Sequence, residues 1–107
     1  MQNKISIVDF LGEEEVLAQL AEEASELAQA ALKLRRALDG KNPTPKSVEE
    51  CREALLEEVA DVHTCLYASG LIKYRVFQRI REISHKKSYR WIWRLVNGCG
   101  ERSGENG

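Results

Sequence analysis

From Glu13 to Asp39, leucine and alanine recur at steps of three and four: Leu17, Leu20, Ala24, Leu27, Ala31, Leu34 and Leu38. That period predicts a long helix over 13–39 with one apolar stripe. Before it, Ser6 to Leu11 forms a short helical turn broken at Gly12. Ser47-Val-Glu-Glu50 has the capping-box pattern and starts a second helix. Its stripe is Leu55, Val59, Val62 and Leu66, and Gly70 stands near its end. A third helix is predicted from about Ile72 to Val96, with Val76, Phe77, Ile80, Ile83, Trp91 and Leu95 as its inner face. The segment Asp39–Lys46 holds both prolines and Gly40, a candidate helix C-cap. Sustained alternation, the mark of strands, is missing. Three long helices with short connections predict an all-α fold, an antiparallel helical bundle plus a short N-terminal helical turn. Residues 1–96 are expected to form one domain, and 97–107, with four glycines, a flexible tail.

Composition narrows the class. Over 107 residues, 31% charged and 43% hydrophobic side chains suit one soluble globular domain. No stretch approaches the roughly 20 apolar residues that span a bilayer. The first residues lack the basic-then-apolar order of a secretory leader. Cys51, Cys65 and Cys99 form no CxxC pair, so reduced thiols and a cytoplasmic location are expected. The net charge of −1 hides an asymmetry. Residues 1–72 carry 7 basic and 14 acidic groups, net −7; residues 73–94 carry 8 basic groups and only Glu82, net +7. Such a chain either neutralises itself or holds an anion between its halves with the help of cations.

The acidic residues are placed rather than scattered. Glu23/Glu26, Glu50/Glu53 and Glu58/Asp61 are pairs at i, i+3. At 100° per residue, Glu23 and Glu26 lie roughly 60° and 120° from the first stripe, and Glu58 and Asp61 roughly 70° and 130° from the second, on the same side. Glu50 and Glu53 point away from it. Antiparallel helices present that flank to one side, so Glu23, Glu26, Glu58 and Asp61 can converge at one edge of the core. Four such carboxylates repel and lose hydration, which a cation relieves. Oxygen-only ligation suits Mg²⁺ or Mn²⁺. The competing reading is a set of border charges paired with Lys or Arg.

Lys33 follows Glu26 by seven residues on nearly the same side. Lys87, Arg90 and Arg94 border the inner face of the third helix. Cations beside a metal–carboxylate cluster are what a triphosphate needs, and direct salt bridging is the alternative. Cys65 lies between Glu58 and Asp61 in angle, as a packed small hydrophobe or a pocket wall. Tyr74, Tyr89, Ile92 and Val96, with Trp93 beside them, make a second apolar stripe on the third helix. Two apolar faces in so small a domain imply a homo-oligomer.

Glu23-Ala-Ser-Glu26-Leu27 followed by Glu58-Val-Ala-Asp61-Val62 resembles the ExxE…ExxD signature of the MazG-like all-α nucleoside triphosphate pyrophosphohydrolases. Lys87-Ser-Tyr-Arg90-Trp91-Ile-Trp-Arg94-Leu95 is similar to the KxxRWxxRL ending of short phage- and prophage-type members. The resemblance covers about residues 5–96. It implies an all-α homodimer or homotetramer that cleaves nucleoside triphosphates, with Mg²⁺, to monophosphate and pyrophosphate. Glu23, Glu26, Glu58 and Asp61 would then be the catalytic metal ligands, and Lys33, Lys87 and Arg90 the phosphate contacts. The 31 residues between Glu26 and Glu58 exceed the family's usual interval, and the proline-containing loop absorbs the excess. No membrane partner is implied. The rival is a nucleic-acid-binding or regulatory module using the basic third helix. Against nucleic-acid binding, the third helix's cations point to different sides and no helix-turn-helix signature is present.

Overall fold

A computed structural model describes residues 5–41 and 45–98. The elements are α1 (Ile7–Leu11), α2 (Glu13–Asp39), α3 (Val48–His63) and α4 (Tyr74–Asn97), with a widened helical turn, Thr64–Ala68, continuing α3. No strand occurs among the described residues, and none of their helices is long and apolar enough to cross a membrane. The chain divides into two compact units, Met1–Ile72 and Lys73–Gly107. Residues 42–44 of the proline-containing loop, and the expected tail beyond Gly98, lie outside the described residues.

Local chemistry sets the helix ends. Gly12, at φ 96° and ψ 151°, separates α1 from α2 in a conformation that an L side chain would strain. Glu13, Glu14 and Glu15 occupy the first turn of α2, where the helix dipole favours negative charge. Gly40 closes α2 in the left-handed conformation, its N–H donating to the Arg36 carbonyl. At α3 the capping box is complete. The Glu50 N–H donates to Ser47 Oγ (3.0 Å), and the Ser47 N–H donates to Glu50 Oε1 (2.9 Å). The third long helix starts at Tyr74 rather than Ile72. The Ile72 N–H instead donates to the Leu66 carbonyl and closes the turn after α3.

The α2–α3 contact corrects the predicted stripes. Leu17, Ala24, Ala31 and Leu38 are exposed, as is Val59. The covered positions of α2 are Val16, Leu20, Glu23, Leu27, Ala30, Leu34 and Ala37. Those of α3 and its continuation are Val48, Cys51, Leu55, Glu58, Val62, Cys65, Leu66 and Tyr67, so of the predicted α3 stripe only Val59 is exposed. Through α2, and in α3 up to Cys65, the three–four period is kept but alternate members fall one residue earlier. The covered arc is thereby rotated by roughly 40–60° toward the acidic side. The physical reason is the width of the apolar arc. Periodicity marks its middle, whereas the helix–helix contact uses one flank, and leaving Ala24 and Ala31 in water forfeits little burial.

At the other end of this unit α1 is clamped to the turn after α3. The Val8 N–H donates to the Ser69 carbonyl (2.8 Å). Gly70, at φ 90°, comes so close that an added Cβ would lie 3.1 Å from Ser6 Cβ and 3.3 Å from Val8 Cγ1. Ser69 is buried, its hydroxyl donating to the Cys65 carbonyl.

α4 makes up the described part of the second unit and contains no buried residue. Of its expected inner face, only Phe77 and Ile80 are half-buried; Val76, Ile83, Trp91 and Leu95 are exposed. One helix has no other described element of its own unit to pack against.

Candidate functional site

The rotated stripes carry Glu23 and Glu58 into the α2–α3 contact and leave Glu26 and Asp61 at its edge. Glu23 and Glu58 are half-buried; Glu26 and Asp61 are exposed. Glu23, Glu26 and Glu58 each offer a carboxylate oxygen within 4.8 Å of the others. Glu23 Oε2 accepts from Gln19 Nε2 (2.9 Å), but Glu23 Oε1 and Glu58 Oε1 are buried without any hydrogen-bond partner. A buried acceptor left unpaired is costly, so two in one cluster call for a shared counter-charge. The Arg79–Glu82 ion pair on α4 involves none of these four carboxylates.

Electrostatics agree with the spacing. The charge of Glu23 holds the Glu26 carboxyl above its ordinary range, followed by that of Glu58, loss of hydration and Glu22. The three carboxylates can hold a divalent cation, and their oxygen-only chemistry suits a hard ion.

Two clefts border the cluster. One, of about 310 Å³, is lined by Glu26, Glu58, Lys33, Lys46, Cys51 and Gln29 among others. Its mix of carboxylates and ammonium groups can take a metal-bound polyanion. The second, of about 230 Å³, lies toward α1 and contains Glu23 and Asp61 together with Val16 and Cys65. Asp61 therefore shares a cleft with Glu23 rather than with Glu26 and Glu58. Burial is the main reason the Cys65 thiol is pushed up, and the charges of Glu23 and Asp61 add to it. Lys33 lines the same cleft as Glu26. Lys87 and Arg90 are exposed residues of α4, in the second unit.

Sequence reasoning missed Lys46, Cys51, Gln19 and Thr64 as cleft walls. The spacing Cys51, Glu58, Cys65 is a heptad step that would have exposed the true α3 stripe. Nothing in the sequence marks Lys46, which precedes the helix cap.

Comparison with protein families, curated proteins and solved structures returns no match to this chain.

Proposed function

We propose that this chain is a Mg²⁺-dependent nucleoside triphosphate pyrophosphohydrolase, with Mn²⁺ as substitute, that releases nucleoside monophosphate and pyrophosphate. Membership of the MazG-like family is part of the proposal and rests on the residue patterns quoted above. The observation that carries it is the meeting of Glu23, Glu26 and Glu58 within 4.8 Å, two of them with a buried, unpartnered oxygen. A bound cation supplies neutralising charge and a polarised water. Glu23, Glu26 and Glu58 would hold it, with Asp61 as the fourth acidic group. Glu26 or Glu23 takes the proton of the attacking water. Lys33 neutralises phosphate oxygens from the wall of the same cleft. Lys87 and Arg90 are assigned to phosphate on the resemblance alone. A homodimer or homotetramer belongs to the same reading, since α4 displays Tyr74, Tyr89, Ile92, Trp93 and Val96 to solvent. Light scattering that finds only the 12.2 kDa species at micromolar concentration removes that part.

The test is pyrophosphate release from a panel of canonical and damaged NTPs and dNTPs with Mg²⁺. Turnover is expected in the wild type, and folded but inactive protein for Asp61→Asn and Glu58→Gln. Full activity in either variant refutes the assignment. The second reading, nucleic-acid binding by α4, draws on its eight exposed cations, Lys73 included. Salt-dependent nucleic-acid binding without turnover favours it.

A further inference from the structure

The apolar side chains of α4 do not form one stripe. Val76, Phe77, Ile80 and Ile83 share a face in its first half, where Phe77 and Ile80 are half-buried. From Ser88 to Asn97 the apolar face is a different one, turned by roughly 130° at 100° per residue. Here Tyr89, Trp91, Ile92, Trp93, Leu95 and Val96 are all more than half exposed.

Around this second segment the side chains are sorted by polarity. Ile92 stands at the middle, with Leu95, Val96 and Tyr89 within roughly 60° of it. Trp91 and Trp93 lie roughly 100° to either side. Lys86, Lys87, Arg90 and Arg94 fill the back, roughly 120–160° from Ile92. A groove of about 610 Å³ sets Lys86 and Arg90 beside Tyr89 and Trp93. No acidic residue occurs between Glu82 and Asn97. We infer that this segment lies along the surface of an anionic lipid bilayer, with Ile92, Leu95 and Val96 at the acyl boundary and the four cations at the headgroup phosphates. It lies on the bilayer rather than across it, since no described helix is long and apolar enough to span. This contact goes beyond the pyrophosphohydrolase reading and does not depend on it.

The sorting is what selects lipid. A bilayer interface takes aliphatic side chains deepest, amphipathic rings at the headgroup level, and Lys and Arg heads above them on stems that reach outward. Nucleic acid would engage the cations and the ring faces, but would leave Ile92, Leu95 and Val96 in water. A second copy of the segment, the occupant on which the oligomer reading draws, can cover the apolar arc but brings no acidic group to the cations. An anionic bilayer meets both at once, because its hydrocarbon covers the arc and its phosphates attract the basic side chains.

The chain carries its own reporter, because its two tryptophans are Trp91 and Trp93. The full chain is titrated with phosphatidylcholine vesicles containing about one-third phosphatidylglycerol, and with phosphatidylcholine alone. With the anionic vesicles, tryptophan emission is expected to move to the blue and to be quenched by lipid brominated on its acyl chains. Binding to the neutral vesicles should be weaker by about tenfold or more. Ile92→Asp, at a side chain 60% exposed, should keep its helicity and lower binding to the anionic vesicles about tenfold. Lys86→Gln should lower it about fivefold. No emission change with anionic vesicles overturns the inference, and so does binding that Ile92→Asp leaves intact, which would be charge alone. Emission already blue without lipid and unmoved by it, in a species heavier than 12.2 kDa, assigns the face to a second copy and overturns it too. A response to single-stranded DNA and none to vesicles gives α4 to nucleic acid instead. Pyrophosphate release enters none of these readouts, so the bilayer contact and the hydrolase fail separately.

Discussion

α2 and α4 are alike in length, 27 and 24 residues, and both repeat apolar side chains at helical spacing. Yet α2 buries Val16, Ala30 and Leu34, and α4 buries nothing. The difference lies in the partners. α2 has α3 along its length and α1 near its start, whereas α4 is the described part of its own unit. An amphipathic period states that a face exists; a neighbour decides which arc of it is covered. The charges diverge in the same way. The acidic half sets Glu23 and Glu58 inside a helix contact, where their charge costs hydration, while α4 keeps its cations in water.

The largest expected effect separates the two regions by chemistry. Glu58→Gln should lower kcat by about 10²–10³, the loss of several kcal/mol of metal-held transition-state stabilisation, with helicity by circular dichroism unchanged. An equal loss from Lys86→Ala on α4 would shift the chemistry to the basic helix.

Next comes packing. Leu34→Ala removes a side chain that is 8% exposed and should cost about 2–3 kcal/mol in urea melts. Leu17→Ala, at 47% exposed, should cost under about 1 kcal/mol. Equal costs would mean that the stripe predicted from periodicity is the buried one after all.

Ser47→Ala should destabilise the acidic unit by about 1 kcal/mol through loss of the capping box, a fall of several degrees in Tm.

The smallest effect is the pH response of Glu26. Its folded carboxyl binds a proton more tightly than an ordinary glutamate, chiefly because of Glu23. Its contribution to stability is therefore full below the ordinary value near 4.5 and is lost as pH rises through the raised folded value. In metal-free buffer the wild type should lose more Tm between mildly acidic and neutral pH than Glu26→Gln. Saturating Mg²⁺ should shrink that difference. Parallel pH profiles would remove the strain attributed to the cluster.

The helix boundaries were legible because caps are local. Gly12, Gly40 and the Ser47–Glu50 box need only their own neighbours to act, so their residue types mark the ends directly. The acidic cluster was legible for three members. Glu23, Glu26 and Glu58 share one flank at helical spacing, and a rotation of the stripe moves them together. Asp61 shows the limit, because it stands one turn further along α3 and reaches the neighbouring cleft instead. Which flank of each helix would be covered was not legible. Leu17 and Val16 are equally apolar as letters, and only the approach of α1 and α3 distinguishes them. Lys46 escaped for a related reason, as its place depends on how a loop returns the chain to α3.

Mn²⁺ titration read by electron paramagnetic resonance, comparing the wild type with the Glu23→Gln/Glu58→Gln double variant, bears most directly on the carboxylate cluster. Saturable loss of the free-ion signal in the wild type, and none in a double variant that keeps its helicity, is the expected result. Equal uptake by both, or no uptake by the folded wild type, would contradict a cation site at these residues.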